Sequence, residues 1–314
     1  MKLLTEIPLK SESNNQIDYH SRILLFGSCF SENIGNKLDY FKFQNYQNPF
    51  GILFQPKAIE TLISKSINKK QYTEADIFLK DERWHCFDVH SKLSNVSKED
   101  LLVNLNNQLK LTNKQIHDAS HIMMTLGTAW VYKFIENNSM VANCHKVPQK
   151  LFKKELLSVD DVIQSLMAMV SLIKSVNKKA SIIFTVSPVR HLKDGFIENT
   201  LSKSHLITAI HSILNENVYY FPSYEIMMDE LRDYRFYNDD MIHPNPTAIN
   251  YIWEKFMKVW VAEKAFITMG EVDFIQKALF HKPFNPNSGA HIKLLQQIET
   301  KKIQILKEFP QLVF

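Results

Sequence analysis

Glycine is scarce in this chain: seven residues in 314, about 2 % against the ~7 % of an average protein. A chain so sparing of glycine keeps it where a side chain would clash or where φ is positive. Four of the seven, Gly27, Gly51, Gly127 and Gly195, border the chemical segments described below. Cysteine is scarcer still. Cys29, Cys86 and Cys144 make an odd count with no C-x-x-C pair, which argues against a disulfide framework and for a reducing compartment. Long apolar runs are missing as well. The windows IMMTLGTAWVY and IIFTVSPV stop short of the roughly 18–20 residues that span a bilayer. The start, MKLLTEIPLKSESNN, offers two leucines before Glu6 where a secretory signal needs roughly 7–15 apolar residues. A cytoplasmic location without a membrane span is expected. Charge of one sign is also lacking: 37 basic against 33 acidic side chains, net +4, without the concentrated positive charge of a nucleic-acid binder.

What is present is an ordinary globular composition, 45 % hydrophobic and 22 % charged, long enough to bury a large core without staples. Apolar strand-like runs alternate with helical patterns. RILLFG (22–27), HIMMTLG (121–127), ASIIFTVSP (180–188) and VYYFP (218–222) read as strands. Residues 56–67, 98–116, 158–176, 200–216 and 247–261 repeat apolar positions at helical spacing, with a final charged helix over 291–308. Alternating strand and helix predicts a three-layer α/β/α sandwich around a mostly parallel sheet, with sites at the carboxyl ends of the strands. Segments 83–91 and 132–144 alternate like antiparallel strands, so a small inserted ribbon is expected. The domain expectation is one unit over residues 1–265 and a C-terminal helical extension, 266–314, packed on it. The amphipathic last helix is a candidate homodimer contact.

Two segments carry chemistry. In LFGSCF, Ser28 follows a strand and opens a helix, so its hydroxyl stands at the sheet edge where helix amides favour negative charge; the plain alternative is a helix N-cap. In NDDMIHPN, Asp240 and His243 are three apart. One turn then brings the carboxylate to the imidazole Nδ1–H and leaves Nε2 as a base. Together they supply nucleophile, base and orienting acid. No G-x-S-x-G elbow is present, which argues against the α/β-hydrolase fold. Cys29 is a rival nucleophile beside Ser28, though a cysteine after a buried strand usually packs inside. His85, His90, Cys144 and His145 lie in separate segments without metal-ligand spacing, so no metal is expected. Trp84, His90, Trp130 and the pair Arg190-His191 lie near predicted strand ends and are candidates to line a cleft. Lys146, Lys150, Lys153 and Lys154 read as a solvated face.

GSCF (27–30), NPFG (48–51), LGTAW (126–130), NCHK (143–146), TVSPVRHLKDG (185–195) and DDMIHPN (239–245) resemble, in order, the GSCFA family, grouped with the SGNH or GDSL-like hydrolases. The resemblance implies a flavodoxin-like SGNH fold and a serine-dependent esterase that needs no cofactor and acts on a small-molecule or glycan ester. Ser28 would be the nucleophile, His243 the base and Asp240 its partner. Gly51 resembles the second-block glycine whose amide joins that of Ser28 in the oxyanion hole. The third block departs from G-x-N: Gly127 is followed by Thr128 and Ala129, and alanine has no side-chain donor. Asn143 supplies the missing donor, or Thr128 does, or nothing does; one such donor is worth roughly 3–4 kcal/mol in the transition state. Acyl transfer to a sugar or other hydroxyl acceptor, or a non-catalytic binding module on the same fold, are the other functions this pattern allows.

Overall fold

The computed structural model describes residues 5–314; the two leucines at positions 3 and 4 lie outside the described residues. The strands are β1 (Arg22–Gly27), β2 (Gln44–Gln47), β3 (Phe78–Lys80), β4 (Arg83–His85), β5 (His121–Leu126), β6 (Trp130–Phe134), β7 (Ser139–Val141), β8 (Phe152–Leu156), β9 (Ser181–Val186) and β10 (Val218–Tyr220). The helices are α1 (Cys29–Tyr40), α2 (Pro56–Ile67), α3 (Lys98–Asp118), α4 (Val159–Val176), α5 (Phe196–His211), the short α6 (Ser223–Glu225) continued by a π-helical turn over Ile226–Leu231, α7 (Pro246–Trp260), α8 (Ala265–Phe280) and α9 (Gly289–Glu308).

Five strands form one parallel sheet in the order β10-β9-β5-β1-β2. β5 and β9 are buried on both faces, which is why they read as unbroken apolar runs rather than as alternation. Alternate side chains divide between two cores. Leu24, Phe26, Ile122, Met124, Ile182 and Phe184 meet α2, α3, α4 and α5 on one face. Ile23, Leu25, Met123 and Ile183 meet α1, α7, α8 and α9 on the other. The result is the expected three-layer α/β/α sandwich with a flavodoxin-like strand order. The order reverses direction at β1, whose neighbours are β2 and β5, and such a switch opens a crevice at the carboxyl ends.

Gly27 pairs with Thr125 and Leu126 with Val186 across the sheet. Ser28, Gly127 and Ser187, the next residues along, therefore emerge side by side at that carboxyl edge. The inserted β-structure differs from the expected single ribbon. Arg83–His85 pairs with Phe78–Lys80 in its own hairpin, while β6 is flanked by β7 and β8 in a separate antiparallel sheet. Among the described residues no helix is long and apolar enough to cross a membrane.

Candidate active site

β1 ends at Gly27, whose φ is +135° and whose absent Cβ would lie 2.2 Å from the Thr125 carbonyl oxygen. Only glycine permits that approach, and it lets the chain pass straight from strand into helix. Ser28 is fully buried and caps α1, its Oγ accepting from the Phe30 N–H at 3.3 Å. A cap uses a lone pair of the hydroxyl and leaves its O–H to donate elsewhere. Cys29 is not activated: burial, then the Glu32 carboxylate, pushes its thiol up, away from the thiolate a nucleophile needs.

Asp240 and His243 sit in the turn before α7. Asp240 Oδ1 accepts from the backbone N–H groups of Ile242 (2.8 Å) and His243 (2.9 Å), and Oδ2 lies 2.6 Å from His243 Nδ1. The His243 amide first, then the Ile242 amide and the ring, hold the carboxyl down to about 2. The carboxylate is therefore ionised and fixes the imidazole with Nδ1 inward, leaving Nε2 for base chemistry. Asn245 caps α7 directly afterwards, with Pro246 in its first turn, so helix start and Asp-x-x-His turn form one local unit. The Arg190 N–H donates to the Ile242 carbonyl at 3.3 Å, tying this turn to the loop after β9. In that loop His191 Nε2 lies 2.8 Å from where a Gly127 Cβ would be. The turn thus reaches the sheet edge that carries Ser28.

The backbone amides expected to hold an oxyanion are engaged within the protein, as are Thr128 Oγ1 and Asn143 Oδ1. The Ser28 N–H donates to Thr125 O (3.1 Å) and the Gly51 N–H to Asn48 O (2.8 Å). Gly51 has φ +74° and faces the His90 Cβ. Thr128 Oγ1 pairs with Ser202 Oγ (3.0 Å) and accepts from the Trp130 N–H (3.0 Å). Asn143 Oδ1 accepts from the His145 N–H (2.8 Å), and the Asn143 N–H donates to Phe87 O (3.3 Å). The Ala129 amide donates to Ser202 Oγ at 2.7 Å.

The cleft candidates separate. His90 lies over Gly51, and burial lowers its pKa. Arg190 packs over the Phe196 ring at 6.0 Å beside the Asp240–His243 turn. Trp130 donates from Nε1 to Glu198 O (3.3 Å) beneath Lys154 Nζ, 4.7 Å from its ring. Trp84 belongs to the β3–β4 hairpin, bridged to Asn95 and topped by Lys98.

Lys203 and Asn48 were not singled out in the sequence, and His191 was expected only to line a cleft beside Arg190. Lys203 on α5 is 1 % exposed, and its Nζ donates to Ser187 O at 2.8 Å; burial pulls it down to about 7. His191 and Asn48 each bury a side-chain nitrogen without a partner. The available signal was the polar character of the buried face of α5, Asn199, Ser202 and Lys203, at spacings that elsewhere carry leucine. Among the described residues no cluster of His, Cys, Asp and Glu could hold a metal ion.

Family comparison decides membership. The GSCFA family model matches residues 22–256. The chain belongs to the GSCFA family. A second model, the GSCFA domain protein C-terminal domain, matches residues 272–314, and no curated protein matches. Among solved structures, this GSCFA protein is similar to an acetyl esterase serine-to-alanine mutant with acetate ion (9 % identity, 80 % of this chain and 99 % of that one, TM-score 0.37). It is also similar to a carbohydrate esterase family 3 protein from Talaromyces cellulolyticus (8 %, 75 % and 94 %, TM-score 0.35). A third is an acetyl xylan esterase from the rumen bacterium Butyrivibrio proteoclasticus (11 %, 83 % and 65 %, TM-score 0.32). Likenesses of this weight decide nothing about the chemistry.

Proposed function

We propose that this GSCFA protein is a serine-dependent ester hydrolase acting on a small-molecule or glycan ester, with residues 1–265 as its working domain and 266–314 as a packed extension. The observation that carries it is the 2.6 Å Asp240–His243 contact in a turn tied to the edge where Ser28 stands. Ser28 Oγ attacks the acyl carbon while His243 Nε2 takes its proton. Asp240 keeps the ring in that tautomer and stabilises the imidazolium. His243 then gives the proton to the departing alkoxide, and water, activated the same way, releases the acid from Ser28. The chemistry needs no cofactor.

The engaged Ser28 and Gly51 amides favour the other reading, a binding module that has lost catalysis. Turnover of p-nitrophenyl acetate and butyrate by wild type and Ser28→Ala separates the two. A nucleophile of this kind is worth roughly four to six orders of magnitude in kcat. Equal traces from both proteins would overturn the hydrolase.

A further inference from the structure

A buried polar atom without a partner costs stability, and where it persists it calls for an explanation, a role in the chemistry among them. His191 Nε2 is such an atom, in the right place. The His191 ring packs edge-on against Phe54, with centroids 5.2 Å apart at 77°. Its backbone N–H is held by Asn199 Oδ1 at 2.9 Å. Its Nε2 is buried and unpartnered, resting where a side chain on Gly127 would begin, 2.8 Å from that point. Gly127 directly follows β5, the strand beside β1, which ends just before Ser28, and neighbouring strands run about 4.8 Å apart. The imidazole edge therefore lies over Gly127, the first residue of the third block, in which Ala129 stands where the family pattern has an asparagine.

We infer that His191 supplies the missing oxyanion donor: a neutral imidazole whose Nε2–H donates to the acyl oxygen of an ester bound at Ser28. This rests on the hydrolase proposed above. It accounts for Gly127, since any side chain there would displace the ring, and it answers the engaged amides with a donor that nothing in the protein satisfies. The groups around the ring keep it neutral. Burial first, then the charges of Lys203 and His243, hold its pKa down to about 3. A neutral imidazole carries one N–H, and placing it at Nε2 aims that N–H at the third-block position. Phe54 packs on the ring and Asn199 holds the backbone that carries it, and preorganised donors of this kind act where charge develops.

The test is steady-state hydrolysis of p-nitrophenyl acetate by wild type, Ser28→Ala, His191→Ala, His191→Gln and Gly127→Ala, each checked by thermal melting. One lost donor lowers kcat by about 10²–10³-fold, so His191→Ala should fall by that factor with KM within about threefold. His191→Gln, which returns an amide N–H at similar reach, should regain at least about tenfold of it. Gly127→Ala, which pushes a methyl into Nε2, should lower kcat in wild type and add nothing to His191→Ala. His191→Ala retaining wild-type kcat overturns the inference and leaves the hydrolase standing. A wild type whose turnover does not depend on Ser28 overturns both, and does so before any His191 variant is compared. Should His191→Ala fail to fold, Gly127→Ala decides alone: unchanged kcat overturns the inference.

Discussion

Two buried histidines stand at opposite ends of the same sheet and are treated differently. His121 opens β5 at the amino edge. Its Nδ1 meets Ser120 Oγ at 2.8 Å, its Nε2 meets Asn15 O at 2.6 Å, and Asn15 is itself anchored to Ser181 Oγ at 2.8 Å. Burial holds it down to about 4, and every ring nitrogen is satisfied. His191, beyond the carboxyl end of β9, is equally neutral and for the same first reason, yet its buried nitrogen has no partner. Arg190 Nε, next to it in the chain, and Nδ2 of Asn199, which holds its backbone N–H, are unpartnered as well. The fold satisfies both nitrogens of the one ring and leaves a buried nitrogen of the other open at a cost in stability. Under the hydrolase proposed above, the satisfied ring belongs to the fold and the open nitrogen to the reaction.

The sharpest challenge to that division is Asp240→Asn. The amide keeps the shape of the carboxylate but presents a donor where Nδ1–H requires an acceptor, so the ring loses its tautomer. A drop in kcat of about 10³–10⁴-fold with little change in stability is expected, measured with p-nitrophenyl acetate; a loss under tenfold would remove Asp240 from the chemistry. The next effect in size joins the two edges. His121 and His145 are held at about 4 and His191 at about 3, burial being the first cause in each, while the unfolded chain takes up these protons near 6.5. Below pH 6.5 the unfolded state binds more protons, so stability falls as pH falls, by up to about 1.4 kcal/mol per pH unit for each group. Urea midpoints at pH 7 and pH 4.5 check this; coincident curves would contradict it. His121→Ala then tests the amino edge alone. It leaves a cavity and strands Ser120 and Asn15, which should cost about 2–4 kcal/mol with kcat within about twofold of wild type. Read beside His191→Ala, it should give the opposite result: stability lost, activity kept.

The parts that were legible in the sequence are the local ones. Pro56–Ile67 reads correctly because apolar spacing, Pro56 and the cap at Gln55 agree. Ser158 announces α4 by a capping box with Asp161. The Asp240–His243 contact is legible because three residues of turn create it. α8 went unread because its apolar residues run all round the helix, leaving Ile267 and Phe280 exposed. β2 was missed because QNYQ is a half-exposed edge strand with no apolar run. The start of α5 was placed four residues late because its first buried positions are Asn199, Ser202 and Lys203 rather than aliphatic. The oxyanion side of the site could not be read, since His191 reaches Gly127 only through the tertiary packing of the β9 loop against Phe54.

Lys203 gives the smallest and most diagnostic effect. Its ammonium is fully buried with one hydrogen bond to Ser187 O and the Tyr224 ring 5.5 Å away. Burial lowers it from 10.5 to about 7. Between those values the unfolded chain binds the proton and the folded chain does not, so the cost of burying the charge is complete below pH 7 and fades as pH rises toward 10.5. Lys203→Met removes that cost and loses one hydrogen bond, for a net gain of about 1–2 kcal/mol at pH 6 that shrinks at pH 10. Chemical denaturation at the two pH values reads it. A gain that does not change with pH would mean the substitution acts through packing alone. A gain that shrinks as pH rises would show that the fold carries this buried ammonium at a cost to its own stability.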